Sequence, residues 1–191
     1  MSDFAQLTVD LGTGLVSPAR QIPSPNHDAR APGATLDLIV IHGISLPLGQ
    51  YGGPWVEALF TNQLPPEHHP DFAPIAHLRV AAHLYVRRDG ELVQFVPLHR
   101  RAWHAGASSW RHRVACNDFS IGIELEGCDE GPYDPRQYPV LAAVVLALRA
   151  AYPTLRGNPL VGHSDIAPGR KTDPGPYFDW AQIRSRVGDA S

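Results

Sequence analysis

Nineteen prolines among 191 residues decide how this chain is able to fold. Proline fixes φ and has no N–H to donate, so it belongs in connectors, first helical turns and sheet edges. The prolines here sit mostly in connectors, which predicts long, stiff loops around a compact sheet. Residues 35–41 (T-L-D-L-I-V-I) are rich in branched apolar side chains, lie between Pro32-Gly33 and Gly43, and read as a buried strand with His42 at its C-terminal end. Residues 49–60 read as a Gly-rich loop entering a short helix, with Pro54 suited to the first turn. Residues 83–87 and 91–96 flank Arg88-Asp89-Gly90 as the arms of a hairpin. In residues 119–125, Ile121, Ile123 and Leu125 share one face of a strand, while Ser120, Gly122, Glu124 and the following Glu126 share the other. Residues 137–152 form a helix that is apolar almost all round, which predicts burial, and Pro153 ends it. Residues 178–187 form a last helix. The order of elements defines an α/β (α+β) chain with a single mixed sheet flanked by helices.

The bulk numbers exclude several classes. At 191 residues, 43% hydrophobic and 18% charged, the chain suits one folded domain, expected over residues 1–191, rather than a disordered protein. A net charge of −3 without a long basic stripe argues against nucleic acid as a partner. The most apolar run, residues 140–151, is too short to span a bilayer and contains Arg149, so no membrane association is expected. The opening M-S-D-F-A-Q-L-T-V-D has no basic region followed by an apolar core, so the expected location is cytoplasmic. Cys116 and Cys128 make neither a disulfide framework nor a CxxC pair and read as small buried hydrophobes.

Chemistry concentrates in residues 162–175, G-H-S-D-I-A-P-G-R-K-T-D-P-G. Lys171 is the only lysine, and the other fifteen basic residues are arginines. A point charge retained two residues from Asp173 fits chemistry that a planar guanidinium cannot perform, although a chance survivor on a solvated loop explains the lysine equally well. Ten histidines raise the prospect of a metal or acid–base site. His42, His163 and Asp173 make a donor set suited to catalytic zinc, which takes three protein ligands and keeps one open position. Their spacing matches no metal pattern, and His77, His83, His68 and His69 are rival ligands ranked below them. Glu124 and Glu126 are both candidates for a general base facing a cavity, and spacing does not choose between them. Trp103-His104-Ala105-Gly106 reads either as a loop able to stack on a sugar ring or as a tryptophan anchor for that loop.

Seven motifs occur in order: I-H-G-I-S-L-P (41–47), Y-G-G-P-W (51–55), H-L-R-V-A-A-H (77–83), R-R-D-G (87–90), R-A-W-H-A-G (101–106), C-N-D-F-S-I-G-I-E-L-E-G (116–127) and the loop at 162–175. Together, over roughly residues 22–182, they closely resemble the AmpD-type anhydromuramyl-L-alanine amidases. These belong to the zinc amidase superfamily that includes phage lysozyme-type amidases and animal peptidoglycan recognition proteins. The resemblance implies one catalytic Zn2+ on His42, His163 and Asp173, with Glu124 and Lys171 as the catalytic pair. It also implies substrate contacts from Arg79, Trp103, Gly43, Ala167 and Arg170. Gly43 departs from the family pattern, which has asparagine after the first ligand histidine, so positioning of the sugar is in question there.

The implied reaction is hydrolysis of the amide between the lactyl group of (anhydro)N-acetylmuramic acid and L-alanine. Zinc acidifies water and polarises the carbonyl, Glu124 moves the proton, and Lys171 faces the developing oxyanion. The implied substrate is a small imported muropeptide, the implied setting is peptidoglycan recycling with an effect on β-lactamase induction, and the chain is expected to act as a monomer. Two alternatives are an amidase of intact cell wall and a muropeptide-binding module without catalysis.

Overall fold

The computed structural model describes residues 7–189; residues 1–6, where the reading for a leader mostly falls, lie outside them. The central sheet has six strands: β1 (Arg20–Gln21), β2 (Leu38–Ile44), β3 (Leu84–Val86), β4 (Leu92–Gln94), β5 (Ser120–Glu126) and β6 (Leu160–Gly162). Their spatial order is β6-β2-β5-β3-β4-β1. The block β6, β2, β5 and β3 is parallel, β3 and β4 form the antiparallel hairpin, and β1 runs parallel to β4. The sheet is therefore mixed, as the order of windows implied.

Parallel strands are covered on both faces, and that explains the composition of β2 and β5. On one side Ile39, Ile41, Ile121, Ile123 and Leu125 pack against α2 (Gln137–Ala151) and α4 (Trp180–Val187). On the other side Leu38 and Val40 pack with Phe119, Val161 and Ile166. The same side of the sheet carries Tyr85 and Val93 beneath α1 (Trp55–Phe60). Period-2 alternation places His42 and Glu124 on this second face.

Two expectations change. β2 begins three residues later than the apolar run suggested and continues through His42 and Gly43 to Ile44, because β5 pairs with it as far as Ile44 opposite Glu126. His42 is thus held inside a strand, not at its end. Helix α2 is not buried all round: Val140, Leu141, Val144, Val145 and Leu148 face the sheet, and Leu146 is 48% exposed. Arg149 sits buried on that helix and ties it to the end of α4, with its guanidinium on both oxygens of Asp189 at 2.7 and 2.9 Å. No helix among the described residues is long and apolar enough to cross a membrane.

Candidate metal centre and active site

β2 and β5 are in register so that Glu124 lies opposite His42. β6 ends at Gly162, and His163 opens the short helix α3 (His163–Ile166) directly beyond it. Asp165 Oδ2 accepts from the Gly162 N–H at 2.7 Å and fixes this turn. The chain then loops back: the Ser164 N–H donates to the Asp173 carbonyl at 3.0 Å, and the buried Tyr133 hydroxyl donates to the Pro174 carbonyl at 2.9 Å. Two histidines and an aspartate from three segments are thereby brought to one point.

His42 Nδ1 lies 3.0 Å from His163 Nδ1 and 3.2 Å from Asp173 Oδ2, and His163 Nδ1 lies 3.1 Å from the same oxygen. Among the described residues this is the one group of three or more potential metal ligands. A tetrahedral ion with bonds of ~2.0–2.1 Å sets its ligand atoms roughly 3.3 Å apart, so the triangle suits zinc. His42 is fully buried, and burial first, then the neighbouring His163 and Lys171, hold its pKa down at about 4 despite Asp173. Its imidazole is therefore neutral at pH 7, as a metal ligand must be.

A cavity of about 260 Å3 opens onto the trio. Its polar wall is His42, His104, Glu124, His163, Lys171 and Asp173, and its apolar wall includes Leu46, Leu59, Phe60, Ile75 and Leu78. Glu124 Oε2 is buried there without a hydrogen-bond partner. Burial, and then the charge of Asp173, push its carboxyl well above the ordinary glutamate range, and Lys171 opposes them. An orphaned carboxylate aimed at a cluster of metal ligands is costly unless a cation or a proton meets it.

Glu126 has the opposite circumstances. Its two oxygens accept from the Gly52 N–H at 2.5 Å and the Arg88 N–H at 2.9 Å, so it fastens the 51–53 loop and the hairpin turn to β5. Of two glutamates on one strand face, one is structurally satisfied and one is free for chemistry.

The five expected substrate contacts fare unevenly. Gly43 lines the cavity, and a Cβ added there would collide with the Tyr133 hydroxyl, so asparagine at this position requires the phenol to move. Arg79 is exposed on the 77–80 segment, beside Leu78 and Val80 of the cavity wall. Trp103 is half-buried outside that lining, its backbone bonded to Asn26 and Ala81. Ala167 is buried and caps α3, its N–H on His163 O at 2.9 Å. Arg170 borders the adjoining groove, but its guanidinium donates to Ala105 O and Ala107 O, both at 2.7 Å.

The rival ligands are elsewhere. His68 and His69 pack on Trp55 and Phe72, and His77 is exposed. His83 is buried, its Nδ1 accepting from the Gly122 N–H at 3.1 Å. Cys116 and Cys128 are buried free thiols. Sequence reasoning missed one participant, His104, which touches His42 Nε2 through Nδ1 at 2.9 Å from within the W-H-A-G motif. Its signal was Gly122, the side-chain-free position on the polar face of β5, over which the His104 ring lies.

Fold and site together define a hydrolase of the amidase class, and the chain belongs to the N-acetylmuramoyl-L-alanine amidase family, whose profile matches residues 32–176. Within it, the chain is 55% identical over 181 residues to the 1,6-anhydro-N-acetylmuramyl-L-alanine amidase AmpD of Citrobacter freundii, covering 95% of this chain and 96% of that one. It is 57% identical to the AmpD of Escherichia coli K12 over 177 residues, 93% of this chain and 96% of that one. A selenomethionine AmpD crystal structure superposes with a TM-score of 0.90 at 55% identity, covering 94% of this chain and 98% of that one. The Escherichia coli amidase AmiD, solved with anhydro-N-acetylmuramic acid-L-Ala-D-γ-Glu-L-Lys, superposes with a TM-score of 0.60 at 28% identity, covering 85% of this chain and 62% of that one.

Proposed function

We propose that this chain hydrolyses the amide between the lactyl group of 1,6-anhydro-N-acetylmuramic acid and L-alanine in small muropeptides, the step that returns wall fragments to use. One observation carries the reading: a single cavity holds the His42–His163–Asp173 triangle, the orphaned carboxylate of Glu124 and the chain's only lysine, Lys171. The close AmpD relatives, named for this reaction, support the substrate class.

His42, His163 and Asp173 are the residues that would hold zinc, which would supply there a Lewis acid for the scissile carbonyl and lower the pKa of water towards ~7. Glu124 takes the proton from the attacking water at Oε2 and passes it to the departing alanine nitrogen, so one carboxylate acts as base and then as acid. Lys171 donates to the carbonyl oxygen as it gains negative charge. The apolar wall of Leu46, Leu59, Phe60, Ile75 and Leu78 borders the same cavity as these polar groups. By the family resemblance, Arg79 would meet acidic groups of the substrate and Trp103 its muramyl side, although neither side chain lines the cavity itself.

The test is incubation of the zinc-loaded protein with an anhydromuramyl tripeptide, with products read by mass spectrometry. Release of the free peptide and the anhydro sugar is expected. An intact substrate would overturn the reading, and preferential clearing of intact sacculi would replace it with the wall-amidase alternative.

A further inference from the structure

We infer that Ser120 and His104 are positioning residues that fix the tautomer of His42, through a chain of hydrogen bonds that begins at a backbone carbonyl. The inference rests on His42 being a metal ligand, as proposed above.

The Ser120 hydroxyl lies 2.6 Å from the Cys116 carbonyl and 3.1 Å from His104 Nε2. A carbonyl oxygen only accepts. At 2.6 Å two oxygens need a hydrogen between them, so Ser120 spends its proton on Cys116. Its oxygen must then accept from His104 Nε2–H. A neutral imidazole protonated on Nε2 presents a lone pair on Nδ1. That lone pair faces His42 Nε2 at 2.9 Å, so His42 is the donor and carries its hydrogen on Nε2. Its Nδ1, the atom turned towards His163 and Asp173, is left bare.

The second imidazole is ordered in a shorter way. His163 Nε2 lies 3.1 Å from the Ala105 carbonyl, which again only accepts, so His163 also keeps its hydrogen on Nε2 and bares Nδ1. Two imidazole lone pairs and a carboxylate oxygen thus meet at 3.0–3.2 Å with no hydrogen assigned between them. Such an arrangement is unfavourable for the protein alone and favourable around a cation.

The molecule makes room for this chain specifically. A Cβ at position 122 would stand 2.5 Å from His104 Cγ and Nδ1, so glycine at that point of β5 leaves the space in which the ring lies. Asn117 Oδ1 accepts from the N–H groups of His104 and Ala105 at 3.1 and 2.8 Å, holding both second partners in one grip. Arg30 in turn donates to the carbonyls of Asn117 and Ser120, both at 2.8 Å. The 116–120 turn is therefore the base from which both ligand histidines are oriented.

The decisive measurement is long-range 1H–15N correlation on histidine-labelled protein, metal-free and zinc-loaded. Both forms are expected to show His42 and His104 protonated on Nε2; an Nδ1 proton on either ring in the metal-free protein overturns the inference. Competition with a chromogenic chelator then reads zinc affinity. Ser120→Ala is expected to weaken it by roughly 10- to 100-fold, as loss of such outer partners does. Ser120→Thr, which keeps the hydroxyl, should restore most of it. Unchanged zinc affinity in Ser120→Ala also overturns the inference, and the tautomer spectrum of the unaltered chain decides if neither variant folds. Zinc binding with the expected tautomers but no cleavage of muropeptide sinks the amidase reading and leaves this one standing.

Discussion

Arg170 and Lys171 are neighbours in the chain with opposite duties. One terminal nitrogen of the Arg170 guanidinium donates to the carbonyls of both Ala105 and Ala107, while Lys171 lines the cavity. Lys171→Arg should keep zinc content and fold but lower kcat by about 100-fold or more, the usual loss when one oxyanion donor is misplaced. Normal turnover in that variant would remove Lys171 from the mechanism. Glu124 makes a second residue-scale case. With its carboxyl held above the ordinary range, the folded protein keeps a proton that the unfolded chain releases above pH ~4.5, so the contribution of Glu124 alone to stability falls as pH rises from there towards its folded pKa, against the larger opposite trend of the buried histidines. Glu124→Gln should therefore melt higher than the parent at pH 7 in the metal-free state, while cutting kcat by at least ~100-fold. A lower melting temperature would mean that Glu124 is stabilising as it stands.

At the scale of elements, the site is a property of the β2–β5 pair. Parallel pairing in register sets His42 beside Glu124, and the side-chain-free Gly122 on the same face admits His104. Gly122→Ala, an addition to a full site, should cost about 1–3 kcal/mol in denaturant unfolding. It should also weaken zinc binding, and an unperturbed variant would show that the His104 ring is free to move. Much of this was legible beforehand. The alternation of residues 119–125 gave the face on which Glu124 stands, and Asp89-Gly90 gave the hairpin. The convergence of His42, His163 and Asp173 was not legible from spacing, because it depends on β6 lying beside β2 and on the 162–175 loop folding back. Nor does a sequence show that Glu126 is satisfied by Gly52 and Arg88, the fact that separates it from Glu124. The end of β2 was misplaced because three residues of its length are fixed by a partner strand eighty residues away rather than by their own apolar character.

Across the whole molecule, burial of imidazole governs the response to acid. Burial holds His42 at about pKa 4 and His83 at about 3, and keeps His104 well below its usual value. Below pH ~6.5 the unfolded chain takes up protons that these folded histidines refuse, so metal-free stability should fall progressively from pH ~6.5 to about 4. Thermal melts across that range check it, and a flat profile would mean the histidines are hydrated. Zinc should raise the melting temperature at pH 7, by an amount that corresponds to ~2.7 kcal/mol when free metal stands at a hundred times its Kd. Chelation should reverse that gain and abolish turnover, with readdition restoring both.

The solitary lysine has a practical corollary. An amine-selective acylating reagent finds only the N-terminal amine and Lys171 along this polypeptide. A fluorophore placed on that side chain would sit at the mouth of the catalytic hollow, and protection from labelling would report occupancy by any compound, whether or not it is cleaved.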